Sequence, residues 1–368
     1  LLSSLLGYSY FYRVKLVVLV VVLFYSFCSF GQLKGDLWIE AKGKAGFLAA
    51  HRSVMGHLAT EHAFAGEISC YFRPKNRKLW HQAYRNPLIG VTGFFGTVGN
   101  RQLLGEFYGL IGFTSFPLIN TKHYLFSLKM GAGLGYGTKH FDQETNQLAN
   151  AIGSSFNAQI CIGAESRILF GNHSINLSID MTHFSNGSTK MPNLGLNLPY
   201  LGLGYGYLIK KGLDTTYIHQ AYNKRWEYGI VAVGSVKEIY PTGGKKYPIF
   251  SASLIGRRFF NQKAGMEASF DVFSKQAILG YHSDVRKKQS EIIQLGMFVG
   301  YILPMDKFHL LFGMGVYVRD KYKPETPLYH RVGMRYVFDN GINLHLVLKS
   351  HWAKADYFEY GIGYTFKK

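Results

Sequence analysis

The C-terminal segment of the chain constrains the fold more than any other stretch. From Tyr357 to Phe366 the even positions are Phe358, Tyr360, Ile362, Tyr364 and Phe366, with Glu359, Gly361, Gly363 and Thr365 between them. A period of two with large apolar side chains on one side describes a β-strand with one greasy face. The same phase recurs upstream. Ile342, Leu344, Leu346 and Leu348 alternate with Asn343, His345 and Lys349, and Val332, Met334, Tyr336 and Phe338 alternate with Arg331, Gly333, Arg335 and Asp339. Phe308, Leu310, Phe312, Met314, Val316 and Val318 alternate with His309, Gly313, Gly315 and Arg319.

Such alternation fits a soluble sandwich with its charged face outside or a membrane barrel with its charged face in the lumen. Composition favours the barrel. Only 17% of the residues are charged, against about a quarter in soluble domains, and the chain carries 28 Phe, 26 Tyr and 42 Gly. No apolar run after Gln32 is long enough to cross a bilayer as a helix. Arg13 and Lys15 precede the apolar run from Leu16 to Tyr25, and small residues stand at Ser29 and Gly31. Residues 1–31 therefore read as a signal peptide cleaved before Gln32. The expected fold is all-β: a transmembrane, antiparallel outer-membrane β-barrel of about 14 to 16 strands. The formal charge of +19 fits an anionic membrane surface, since an exported protein seldom meets nucleic acid. Cys70 and Cys161, the cysteines that remain after cleavage, are too few for a disulfide framework.

Short turns alternate with long polar stretches, as in barrels with tight periplasmic turns and longer outer loops. The tight turns are Phe170-Gly171-Asn172, Asn261-Gln262-Lys263, Pro304-Met305-Asp306 and Asp339-Asn340-Gly341, and the long stretches cover 139–153, 184–197, 275–290 and 319–327. About sixteen strand-like segments run from Gly46 to Phe366. Arg73 to Arg85 and Lys210 to Lys224 are long on the periplasmic side, and the second lies near the middle, so two eight-stranded units remain an alternative. The expected division is 32–210 for a first half that carries a site and 211–368 for the remaining strands.

Chemistry concentrates in one place. Ile175, Leu177, Ile179 and Met181 form the apolar face of a strand, and the same phase carries His183 and Ser185 onto that face at its outer end. A bare His-x-Ser is most often a pair of interfacial polar residues. The longer string, His183-Phe184-Ser185-Asn186 followed by Lys190-Met191-Pro192-Asn193-Leu194-Gly195, resembles the outer-membrane lipid A 3-O-deacylases, the PagL-like, acyloxyacyl hydrolase-type family. The match is tight over these residues and loose over Gly46 to Lys210. The resemblance implies a serine esterase working in the membrane plane, with Ser185 as nucleophile, His183 as its general base and Asn186 as an oxyanion donor. Where the family carries an acidic residue this chain has Asn197, which strand phase places on the same face as His183, beside Leu201, Leu203 and Tyr205. An amide can orient an imidazole but cannot neutralise the imidazolium, so Asp142 or Glu144 on the 139–153 loop stays open as a substitute. Gly187-Ser188 also stands where the family has Ala-Gly.

The fourteen histidines show no metal-ligand spacing, and neither a metal nor another cofactor is expected. Gly202-Leu203-Gly204 reads as lumen-side strand glycines, and Lys245 and Lys246 as solvated loop charge. The expected function is removal of an ester-linked acyl chain, the 3-O-linked one, from lipid A in the outer membrane of a Gram-negative bacterium. One rival is a porin or transporter whose lumen, lined by Arg331, Arg335, Lys349, Glu267, Asp271 and Glu359, passes solutes; another is an outer-membrane phospholipase.

Overall fold

The structure is a computed structural model, and it describes residues 35–75, 78–213, 224–281, 289–352 and 354–366. The signal peptide expected at 1–31 lies outside the described residues. The described residues form sixteen strands. The first eight are β1 Gly35–Phe47, β2 His62–Pro74, β3 Leu88–Thr97, β4 Glu106–Asn120, β5 Tyr124–Gly137, β6 Phe156–Phe170, β7 His173–Ser185 and β8 Leu196–Lys210. The second eight are β9 Arg225–Glu238, β10 Lys246–Asn261, β11 Ala264–Lys275, β12 Ile293–Met305, β13 Phe308–Arg319, β14 Leu328–Val337, β15 Ile342–His351 and β16 Lys354–Phe366.

The strand number is the one the alternation implies, and the arrangement is the one held as an alternative. β1 closes on β8 and β9 closes on β16, which makes two antiparallel eight-stranded barrels and not one continuous sheet. Alternation constrains which way each side chain faces and says nothing about where a sheet closes, so it cannot choose between the two. The first strand also begins earlier than Gly46. In β1 the outward positions are small (Ala41, Gly43, Ala45) and the inward ones charged (Glu40, Lys42, Lys44), so no greasy stripe marks it.

Outside, the barrels are apolar. Ile175, Leu177, Ile179 and Met181 of β7 are exposed, as are Leu201 and Leu203 of β8. Aromatics cluster towards the strand ends, with Phe47 and Phe156 at one rim of the first barrel and Tyr205 and Tyr207 towards the other. This is the girdle pattern of a barrel that crosses a bilayer with strands. No described helix is long and apolar enough to cross a membrane.

Inside, neither barrel is a pore. Eight strands leave an interior just wide enough for side chains, and charges fill it in pairs. In the first barrel Lys42 meets Glu165 (2.8 Å), Lys44 meets Glu67 and Asp180 (2.9 and 2.8 Å), and Arg167 meets Glu40 (2.8 Å). In the second, Arg331 bridges Asp271 and Glu359 (2.7 and 2.9 Å) and Arg335 pairs with Glu267. The residues expected to line a solute path are thus buried, with Lys349 paired with Asp356 and the others with one another.

The barrels meet at both rims. At the inner rim Lys78 pairs with Asp306, and Tyr84 donates to the Lys263 carbonyl (3.4 Å). At the outer rim Gln143 Nε2 donates to the Thr242 carbonyl (2.6 Å). Loops of one rim therefore touch loops of the same rim, so the two barrels stand side by side in one sense across the membrane.

Candidate active site

β7 carries His183 and Ser185 outward because Phe184 between them is drawn inward. The Phe184 ring is fully buried beside Phe107 (centroids 4.8 Å apart) and Phe94 (5.7 Å), in a core that includes Leu196, Leu198 and Tyr200. With that anchor set, the pleat leaves its neighbours no other side. β7 pairs with β8 so that His183 lies directly opposite Asn197. His183 Nδ1 donates to Asn197 Oδ1 at 2.6 Å. A proton on Nδ1 leaves Nε2 as the free lone pair, which is the tautomer a base needs. Ser185 follows on the same face but is only 4% exposed, where the alternation alone predicts a hydroxyl facing lipid.

A second imidazole, that of His51, joins this group. Asn197 Nδ2 donates to His51 Nδ1 at 3.1 Å, and the Ala49 N–H donates to the Asn197 carbonyl at 2.9 Å. His51 sits in the loop between β1 and β2, and β1 reaches Asn197 only because the barrel closes between its first and eighth strands. No local pattern marks it. The loop carboxylates held as substitutes serve elsewhere or lie apart. Asp142 Oδ1 accepts from the Glu144 and Thr145 N–H groups and the Thr145 hydroxyl (3.0, 2.8 and 2.9 Å). Those bonds, the Thr145 ones first, hold its carboxyl below the usual range. Glu144 makes no hydrogen bond to His183; the partner of His183 Nδ1 is Asn197.

The loop between β7 and β8 gives each motif residue a task. The Asn186 N–H donates to Asn193 Oδ1 (2.9 Å). Asn186 Nδ2 donates to Ser154 Oγ and to the Lys190 carbonyl (both 2.9 Å). Both hydrogens of the expected oxyanion amide are thus engaged in the resting loop. Gly195 has φ +80°, and a Cβ there would lie 2.7 Å from His183 Cε1, so backbone conformation and the imidazole both require glycine. The 138–155 loop clasps this segment through Gly153 N–H to the Pro192 carbonyl (2.7 Å) and Leu194 N–H to the Ala151 carbonyl (2.8 Å). Near the clasp, burial and the Lys190 ammonium push the His140 imidazole below its ordinary value.

One carboxylate–imidazole group, Glu325, His351 and Asp356 of the second barrel, has the proximity of metal ligands. Lys237, Lys275 and Lys349 already pair with its carboxylates, so a metal ion would have to compete with three ammonium groups. Cys70 and Cys161 are buried thiols.

Residues 66–208, within the first barrel, match the family described as lipid A 3-O-deacylase (PagL), and residues 226–368, within the second, match its acyloxyacyl hydrolase C-terminal domain (PagL_C). The chain belongs to the PagL family. As a member it is an ester hydrolase, and lipid A is the substrate class of the family. The two matched segments fall on the two barrels, and the site string lies in the first. No match to a curated protein was found. Solved structures that resemble the chain include an engineered porin of Rh. blastica, 8% identical with a TM-score of 0.20 over 90% of this chain and 100% of that one. Acinetobacter baumannii Omp33 is 8% identical with a TM-score of 0.16 over 91% and 100%. Likeness this slight says nothing about what the chain does.

Proposed function

We propose that the chain is a serine esterase of the Gram-negative outer membrane that hydrolyses the 3-O-linked acyl ester of lipid A. The observation that carries this reading is the 2.6 Å bond from His183 Nδ1 to Asn197 Oδ1, which leaves Nε2 unprotonated two residues from Ser185 at the outer end of an apolar strand. Ser185 Oγ attacks the ester carbonyl while His183 Nε2 takes its proton. The tetrahedral intermediate collapses with breakage of the bond to the sugar oxygen, which leaves as the hydroxyl after receiving that proton from the imidazolium. Water, deprotonated by the same nitrogen, then releases the fatty acid from the serine. Asn197 orients the ring throughout, and His51 orients Asn197 by accepting its N–H.

The negative charge on the former carbonyl oxygen needs donors. Asn186 is the proposed source, by releasing Ser154 or Lys190. The N–H groups of Gly187 and Ser188, which follow it, donate to no acceptor among the described residues and can join it. An outer-membrane location is supported by the apolar exterior and aromatic girdles. The porin reading loses its physical basis, because the lumen charges are paired and buried.

Mass spectrometry of lipid A from cells with and without the protein tests the reading. Loss of one ester-linked acyl chain is expected with the wild type and not with Ser185→Ala, while purified glycerophospholipid serves as the competing substrate. Full deacylation by Ser185→Ala would exclude the serine mechanism.

A further inference from the structure

We infer that the second barrel is a positioning element of the esterase site: it fixes Gly187 and Ser188, the residues that follow Ser185 and Asn186. The inference rests on the serine-esterase reading above and gives the C-terminal half of the chain a task within it.

Gly187 and Ser188 both adopt left-handed backbone conformations, with φ +61° and +64°. A serine does not hold that conformation unaided, so something must over-determine it. Within the first barrel the flanking residues are tied: the Asn186 N–H to Asn193, and the Thr189 hydroxyl to the Asn186 carbonyl (2.9 Å). The central pair is held from the other barrel. The Ser188 hydroxyl donates to the Ala355 carbonyl and the Ser188 carbonyl accepts from the Glu238 N–H, both at 3.0 Å. Among the described residues every hydrogen bond of Ser188 goes to the second barrel. A Cβ on Gly187 would lie 2.3 Å from the Phe358 ring, so the backbone at 187 rests directly on that side chain.

The holding surface is itself rigid. Glu238 ends β9 and Ala355 is the second residue of β16, two strands that are neighbours in the closed second barrel. Their outer ends are joined inside by Asp356, which pairs with Lys237, with Lys275 (2.9 Å) and with Lys349 (3.3 Å). Glu238 Oε1 also accepts from the Gly243 N–H (2.8 Å), fixing the β9–β10 loop that meets Gln143 of the first barrel. The buried lysine–aspartate cluster, which a deacylase has no chemical use for, thus stiffens the two strand ends that touch the site. Small displacements matter here, because a misplacement of about 1 Å costs on the order of 10²-fold in rate.

The test compares full-length Ser188→Ala, Phe358→Ala, the double variant and Phe358→Leu with wild type, with turnover expressed per heat-shifting, folded molecule. The double variant is expected to lose roughly ten- to hundred-fold in kcat with KM for lipid A within about two-fold, the signature of an interaction that acts on the reaction and not on binding. Phe358→Leu, which refills the contact, should recover most of the loss, which general destabilisation would not predict. An unchanged kcat per folded molecule in the double variant, or a change confined to KM, overturns the inference. Activity surviving in Ser185→Ala would instead overturn the esterase reading on which it rests.

Discussion

At the scale of single residues the site turns on which end of one amide faces an imidazole. Asn197 presents its oxygen to His183 because its nitrogen is taken by His51. Two predictions follow from that geometry. Asn197→Glu supplies the charge that stabilises the imidazolium. Because a triad acid replaced by its amide costs about 10⁴ in a serine protease, a rise of roughly ten-fold is expected in the reverse direction, limited by the fit of a longer side chain. Asn197→Leu should lower the rate sharply. At His51, Gln retains an acceptor and should preserve activity. Lys can only donate, so it would turn the amide round, place a proton on the wrong imidazole nitrogen and lower kcat below that of His51→Ala. In the Asn197→Glu background the same His51 changes should matter little, since a carboxylate has no wrong way round. Equal rates for Gln and Lys in the wild-type background would remove His51 from the mechanism. Counting strand phase from Ile175 to Ser185 and back from Leu201 was enough to bring His183, Ser185 and Asn197 to one face. His51, 146 residues from Asn197 in sequence, becomes its neighbour only once β1 closes on β8.

At the scale of elements, β7 shows how a strand end is held for chemistry. Phe184 is the inward anchor and Gly195 the outward clearance, so each can be changed with a different result. Phe184→Ala leaves a cavity in the outer core of the first barrel and should cost about 3–5 kcal/mol, read as a lower temperature for the gel-mobility shift on heating. Gly195→Ala touches little of the core. Its methyl group would press on His183 and its backbone would be strained, so a fall in kcat on the order of 10²-fold is expected, with a smaller drop in heat-shift temperature than Phe184→Ala gives. If Gly195→Ala keeps wild-type turnover, the imidazole is not where the structure has it. The elements differ in how plainly they can be read. β16 and β7 carry large apolar residues on their outward face and are evident from sequence. β1 carries Ala41, Gly43 and Ala45 there, and only its inward Glu40, Lys42 and Lys44, which need partners on other strands, reveal it as a strand.

At the scale of the molecule, sixteen alternating strands are equally compatible with one wide barrel and two narrow ones, and the two behave differently. One sixteen-stranded barrel would enclose a water-filled channel. Two eight-stranded barrels close around their own side chains. The sequence holds one physical hint, the polar Lys210 to Lys224 stretch that breaks the alternation midway, and the rest depends on long-range closure that no local period encodes. The consequence is measurable in a planar bilayer. The purified protein should give no stable single-channel conductance, because Arg331 with Asp271 and Glu359, and Arg167 with Glu40, occupy the two lumens. Arg331→Ala should not open a pore either. It leaves two buried carboxylates without their counter-ion, which costs about 3–5 kcal/mol, so the expected effect is a lower heat-shift temperature in place of ion flow. A steady conductance from the wild type would mean that the strands close as one wide ring, and would favour the rival transporter reading.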